Sequence, residues 1–392
     1  MRVYMIGKKK RKPLGLYIHV PFCKSKCDYC DFCSLVPNNK GIVEHYTDAL
    51  ILQMEDWSSR CRNYTIDSVY IGGGTPTYID IRRISRMIDA IYSNFKVEKL
   101  AEFTVECNPA TADLEYFRKL RRAGVNRLSI GCQSAHADEL KALGRIHTYE
   151  QFVACYNDAR QAGFDNVSVD LMYGIPNQTE QSFIESLTAV TSLGPDHISI
   201  YALKIEEGTP FHAMRDKLVL PDEETEFSMY SHAVDYLAAQ GYERYEISNF
   251  CRKGAASLHN LKYWHCDEYL GLGASAHSYF EDERFATTCV VRDYIDGLEI
   301  IGSDINIVAS SEKIDSAKCM EEYVMLGMRL TDGIVIEDFE ARFNTSFSEK
   351  YGNRLDEYVE AGFVEKDERG YRFTTNGMFV SNYILSAVLD LE

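Results

Sequence analysis

The chain has 392 residues, 45% of them hydrophobic, enough for one sizeable core with a smaller unit appended. Forty-two basic against 59 acidic side chains leave a formal charge of −17, which argues against a general nucleic-acid or anionic-membrane binder. No apolar run reaches the roughly 18 residues that span a bilayer, and Met1 to Leu16 lacks the apolar centre of a secretory signal. A cytoplasmic protein with no transmembrane segment is expected.

The basic run Lys8 to Lys12 reads as part of a solvated tail over residues 1–13. From Leu14 to about Leu203, short β-branched or apolar runs alternate with amphipathic stretches of helical period, as βα units do. Strands are predicted at Leu16–Val20, Ser68–Ile71, Glu102–Val105, Arg127–Ile130, Val167–Leu171 and His197–Tyr201. Between them fall helices at Ile42–Trp57, Ile81–Tyr92, Leu114–Ala123, Tyr149–Ala162 and Glu180–Leu193. Gly124 and Gly163 sit where helix C-caps are wanted, and Thr179 reads as an N-cap.

A long helix, Glu223–Gln240, and a sheet-associated stretch, Tyr242–Phe250, follow. A polar segment, Gly302–Ser311, then separates a C-terminal unit over residues 312–392. That unit reads as helices at Lys318–Leu330, Ile336–Phe343 and Glu349–Ala361, a hairpin around Glu368–Gly370, and a last helix from Gly377. The pattern is winged-helix-like. Its acidity favours a lid or packing role over DNA binding.

Six parallel strands with helical crossovers define an α/β fold, and their spacing favours a partial (β/α)6 TIM-type barrel over residues 14–300. The unusual residues favour the same answer. The cysteines follow the first strand, Gly72–Thr75 the second, Glu106 and Asn108 the third, and Gln133 the fourth, while Asp170 lies near the end of the fifth. In a barrel these strand ends converge on one face, where active sites lie.

Most of the 12 cysteines, such as Cys107, Cys132 and Cys155, stand singly in apolar surroundings and read as buried thiols. Only Cys23, Cys27, Cys30 and Cys33 cluster. Cys23-Lys-Ser-Lys-Cys27-Asp-Tyr-Cys30 places three thiolates where they can wrap one face of an iron–sulfur cubane, leaving its fourth iron open to a small chelate. A structural zinc knuckle completed by Cys33 is the rival reading, but it leaves the glycine loop and the polar strand ends unexplained. Gly72 to Gly74 allow close backbone approach, and their N–H groups can meet a ligand carboxylate. Glu106 suits a cationic partner, Gln133 and Asp170 suit ribose hydroxyls or adenine edges, and Arg145 suits a carboxylate.

The cysteine loop resembles that of the radical S-adenosylmethionine (SAM) superfamily. Six motifs in order are similar to the branch of oxygen-independent coproporphyrinogen III oxidases (HemN) and heme chaperones (HemW). These are Tyr17-Ile-His-Val-Pro-Phe-Cys23, Ile71-Gly-Gly-Gly-Thr-Pro-Thr77, Glu106-Cys-Asn-Pro109, Ile130-Gly-Cys-Gln-Ser134, Leu143-Gly-Arg-Ile-His147 and Asp170-Leu-Met-Tyr-Gly-Ile-Pro176. The resemblance runs from about Leu14 to Phe280 and is looser over the C-terminal unit, which it implies to be a HemN-type helical domain. It implies a [4Fe-4S] cluster on Cys23, Cys27 and Cys30, and reductive cleavage of SAM to a 5'-deoxyadenosyl radical. It also implies a SAM shell of Tyr17, Tyr29, Gly73, Gly74, Thr75, Glu106, Gln133, Arg145 and Asp170.

Within the branch, two functions compete. The oxidases continue Cys-x3-Cys-x2-Cys with x-Cys, whereas Phe32 stands at that position here and the extra thiol comes at Cys33. The oxidases also carry a longer extension before the first strand. His259-Asn-Leu-Lys-Tyr-Trp264 matches the His-Asn-x-x-Tyr-Trp motif of the chaperone group, which implies axial ligation of heme by His259 with Tyr263 and Trp264 against the macrocycle. Cys251, His265, Cys266 and His277 are alternative ligands nearby. The expectation is a heme-trafficking protein and not an active oxidase. Its partners are heme, a heme-acceptor protein that could be a transiently docked membrane protein, and a flavodoxin- or ferredoxin-type electron donor if SAM is cleaved. A radical SAM enzyme for another substrate stays open.

Overall fold

The computed structural model describes residues 11–299 and 304–390. Six strands, β1 (Lys12–Val20), β2 (Tyr64–Gly73), β3 (Val97–Cys107), β4 (Arg127–Gln133), β5 (Asn166–Tyr173) and β6 (His197–Ala202), pair parallel in chain order. Helices α1 (Lys40–Arg60), α2 (Ile81–Asn94), α3 (Leu114–Arg122), α4 (Ala137–Ala142), α5 (Tyr149–Gln161) and α6 (Glu180–Thr191) form the crossovers. The sheet does not close. This is the expected partial barrel. Strands read near-continuously buried, as parallel strands covered on both faces must. Local chemistry fixes the helix ends: Thr148 and Thr179 make capping boxes with Gln151 and Ser182, and Gly124 and Gly163 follow α3 and α5 at positive φ.

What sequence reading missed lies at the free edges. After α7 (Pro210–Ala213) and α8 (Glu223–Ala239), β7 (Glu243–Arg244) and β8 (Asn249–Cys251) extend the sheet beyond β6 in antiparallel fashion. Beyond α9 (Leu258–Trp264), β9 (Tyr269–Leu272) pairs parallel with the other edge, β1, and β10 (His277–Phe280) and β11 (Glu283–Thr287) continue antiparallel. After α10 (Val291–Glu299), the polar segment expected to separate two units instead supplies β12 (Val308–Lys313), the outermost strand, exposed throughout. A charged, wet edge strand carries no alternating signal and blunts edge-to-edge pairing. Of the expected basic tail, residues 1–10 lie outside the described residues, and Lys12 and Pro13 already pair with Tyr64 and Thr65.

The C-terminal unit contains α11 (Ser316–Gly327), β13 (Ile334–Val335), α12 (Ile336–Phe343), α13 (Asn353–Glu360), the hairpin of β14 (Val364–Lys366) and β15 (Gly370–Phe373), α14 (Thr375–Phe379) and α15 (Ser381–Leu389). It packs on the barrel. Phe379 meets Phe227 and Tyr230 of α8, Arg342 donates to the carbonyls of His265 and Cys266, and Arg284 pairs with Glu322.

Trp57 of α1 is 2% exposed, stacked on Phe285 of β11 and edge-on to Phe280 of β10. It therefore locks the antiparallel extension to the barrel. Trp57→Ala is expected to cost about 3–5 kcal/mol in denaturant unfolding. A loss below about 1 kcal/mol would show that the extension does not depend on this contact.

Candidate functional site

A cavity of about 830 Å3 opens at the carboxyl ends of the parallel strands. Strand pairing assembles its wall: Val20, three residues before Cys23, lies opposite Gly73, and Gly131 lies opposite Asp170. A bulge between Gly131 and Gln133, with Gln133 at φ 68°, re-aims the end of β4. Cys23, Cys27, Cys30, Tyr29, Gly73, Gly74, Thr75, Glu106, Gln133, Arg145 and Asp170 all line this one cavity. Residues scattered over about 150 positions of sequence thus meet on one surface.

Within the loop the thiols differ. Cys23, Cys27 and Cys30 face the cavity and influence one another electrostatically. Burial pushes the Cys30 thiol up to about 11 and raises that of Cys23. Thiols that burial keeps protonated become anionic ligands when a metal replaces the proton, so this donor set suits an iron cluster. Cys33 does not line the cavity; its thiol turns outward and donates to the Cys289 carbonyl at 3.0 Å.

Among the described residues, Glu106 and Asp170 have no cation in direct contact. Glu106 accepts from the Tyr70 hydroxyl at 2.8 Å and from the Gly73 amide at 3.1 Å. Burial, with the Asp170 charge nearby, pushes its carboxyl up to about 7. Asp170 accepts from Ser129 and is raised by burial too. Arg145 reaches the Gly131 carbonyl at 2.9 Å and Cys27 Sγ at 3.7 Å, and its buried Nε has no partner. A buried guanidinium with one unpartnered N–H, close to buried carboxylates, suits a zwitterionic ligand.

Three expectations change in detail. The Gly73 and Gly74 amides do not await a carboxylate, because they donate to Glu106 and to the Val20 carbonyl. Glycine is needed for space: Gly73 has φ +112°, and a Cβ on Gly74 would stand 3.0 Å from Cys23 Sγ. Tyr17 is not on the cavity wall. It stacks on Tyr70 and bonds His19, so Tyr70 takes the wall position. His259 is 1% exposed, with Nδ1 on Ser68, Nε2 on the Tyr263 hydroxyl and its ring stacked on Tyr70. Burial, reinforced by Lys262, lowers it to about 3, so it is neutral. Neither nitrogen is presented as a free ligand in this arrangement.

Sequence reasoning missed Tyr70 and the far wall. Tyr70 shares a strand face with Gly72, a parity that could have flagged it. Trp264, Tyr201 and, from the C-terminal unit, Arg329, Met378, Phe379 and Asn382 also line the cavity.

This open parallel sheet with three thiols at the end of its first strand is the radical SAM arrangement. A family model for the radical SAM superfamily matches residues 17–190, and one for the HemN C-terminal domain matches residues 314–380. The structure of Escherichia coli coproporphyrinogen III oxidase (HemN), 24% identical, aligns with a TM-score of 0.86 over 98% of this chain and 92% of that one, a likeness of fold. The chain is 34% identical to the heme chaperone HemW of Bacillus subtilis over 95% of its length and 98% of the relative's. It is 32% identical to HemW of Lactococcus lactis, with 97% and 98% covered. The chain belongs to the HemW family, within the HemN branch of the radical SAM superfamily. That membership implies a [4Fe-4S] cluster and SAM. Among the described residues no helix is long and apolar enough to cross a membrane.

The inequality of the four thiols is testable by iron and sulfide analysis after anaerobic reconstitution. Cys23→Ala, Cys27→Ala and Cys30→Ala are expected to lose the cluster, and Cys33→Ser to retain it in full. Loss of iron from the Cys33 variant would restore a four-thiolate site.

Proposed function

We propose that this chain is a heme chaperone that holds a [4Fe-4S] cluster on Cys23, Cys27 and Cys30, binds SAM beside it, and passes heme to an acceptor protein in the cytoplasm. One observation carries the choice of chaperone over oxidase: the near full-length relatives at 32–34% identity are heme chaperones. The loop supports it, since Phe32, 59% exposed at the cavity rim, replaces the oxidases' next thiol and Cys33 turns away.

In this reading Glu106 faces the ammonium or sulfonium of SAM, Arg145 Nε its carboxylate, and Asp170 and Gln133 its ribose and adenine, with Tyr29, Gly73, Gly74 and Thr75 completing the wall. Thr75, whose hydroxyl lies 3.6 Å from Cys23 Sγ, steadies the thiolate. Cluster and SAM together supply a reducible iron with a cleavable sulfonium when bound. A flavodoxin- or ferredoxin-type donor enters only if that bond is broken. Ligation of heme by His259, which the hexapeptide implies, requires the ring to leave Ser68 and Tyr263.

The Glu106 carboxyl gives a pH test. Its ordinary value is 4.5 and burial raises it to about 7, so a cationic ligand must displace a proton below that value. SAM affinity, measured by calorimetry on cluster-loaded protein, is expected to rise by up to about tenfold per pH unit on approach to 7 and then level off. Glu106→Gln should bind more weakly with a flat profile. A flat wild-type profile would remove Glu106 from the cation site.

For the function itself, reconstituted protein is titrated with hemin and separately given coproporphyrinogen III, SAM and reductant. A stable heme spectrum without decarboxylated product is expected. Decarboxylation with no heme complex would establish the oxidase instead. His259→Ala is expected to alter the heme spectrum, and an unchanged spectrum would reject ligation there while leaving the chaperone reading intact.

A further inference from the structure

The cavity is walled by four basic side chains, Lys26, Arg145, Lys204 and Arg329. Two are engaged at the cysteine loop: Arg145 contacts Cys27, and Lys26 donates to the Phe32 carbonyl at 3.2 Å. Arg329 is different. It comes from the C-terminal unit, just past α11, and its Nη2 donates to Asn382 Oδ1 at 2.8 Å. Among the described residues it forms no ion pair, although Glu206 and Glu226 share the cavity wall. Comparable half-buried arginines in this chain do find carboxylates, Arg160 on Asp196 and Arg284 on Glu322.

A neutral amide orients the guanidinium fork without neutralising it, so its charge is left for a ligand. Loss of solvent already lowers the Arg329 pKa, the mark of a cation with no counter-charge in reach. Trp264, Phe379 and Tyr201 line the same cavity and offer aromatic surface. Lys204, exposed at the same wall, supplies a second cation. The cavity lining carries the carboxylates Asp31, Glu106, Asp170, Glu206 and Glu226 beside its four cations, so an anionic ligand depends on the cations it meets directly.

We propose that Arg329, oriented by Asn382 and assisted by Lys204, is the carboxylate-recognition site of this cavity, seating a flat apolar ring ligand that bears acidic side chains against Trp264 and Phe379. Resting on the heme-chaperone reading, this assigns the propionates of the tetrapyrrole to the C-terminal unit. The C-terminal unit then acts as a selecting wall and not only as packing.

The test compares hemin with iron protoporphyrin dimethyl ester, whose propionates carry no charge, in titrations of anaerobic cluster- and SAM-loaded protein followed in the Soret band. Wild type is expected to bind hemin about tenfold or more tightly than the ester. Arg329→Met should bring the two affinities together, Arg329→Lys should recover part of the difference, and Asn382→Ala should keep most of it because the charge remains. Iron content and thermal midpoint are recorded for each variant. Equal binding of the two porphyrins by wild type overturns the assignment even if the Arg329 variants fail to fold, and so does an Arg329→Met protein that keeps the preference. Either result leaves the heme reading standing. Wild type that binds neither porphyrin overturns both.

Discussion

The parallel pairing of β1 to β6 in chain order is the constraint on which the rest depends. Each strand contributes its carboxyl end to one face, and the pairing fixes which residues share a level there. A one-residue slip of β2 or β5 would turn the Tyr70 hydroxyl or the Asp170 carboxylate to the other side of the sheet. The strands can hold this register because they are buried on both faces. The same burial desolvates whatever polar groups sit at their ends, which raises the carboxyls of Glu106 and Asp170.

Those desolvated groups link the hexapeptide of α9 to the cavity in a way that differs from direct presentation. His259 stacks on Tyr70, whose hydroxyl bonds Glu106 on the wall. Buried Glu102 accepts from the backbone amides of Leu258 and His259, fixing the first turn of α9 against the barrel. His259 in this arrangement positions Tyr70, and Trp264 at the other end of the same helix reaches the cavity. One short helix thereby supports the Glu106 carboxylate and supplies the aromatic surface of Trp264 to the same cavity. Any rotation of His259 toward heme would also release the ring that backs Tyr70, so ligand exchange there and the setting of Glu106 are mechanically joined.

How much of this was legible in the sequence follows from the range of the interactions involved. The βα alternation and the Thr179 and Gly124 caps are local, and they read correctly from residue type and spacing. The convergence of Glu106, Gln133 and Asp170 was legible only because a parallel barrel sends all strand ends to one face. Partners far apart in sequence were not legible. Nothing near Gly73 announces that its amide is used by Glu106, and nothing near His259 announces Ser68, 191 residues earlier. The short strands β9 to β12 are set by pairing more than by their own composition: β9 joins the free edge of β1, and β10, β11 and β12 follow in turn.

The C-terminal unit completes the wall, and this has an energetic consequence. Its seam with the barrel is built from Phe379 on Phe227 and Tyr230, the bridge between Glu246 and Leu330, and Thr331 donating to the Tyr245 carbonyl. Glu246 is fully buried there, with one carboxylate oxygen unpartnered and its carboxyl pushed up by burial to about 7. Because that value exceeds the ordinary 4.5, its contribution is fully present below about 4.5 and declines as pH rises through about 7. A ligand that touches both Trp264 on the barrel and Phe379 on the C-terminal unit binds only the docked arrangement, and its binding free energy adds to that of the seam.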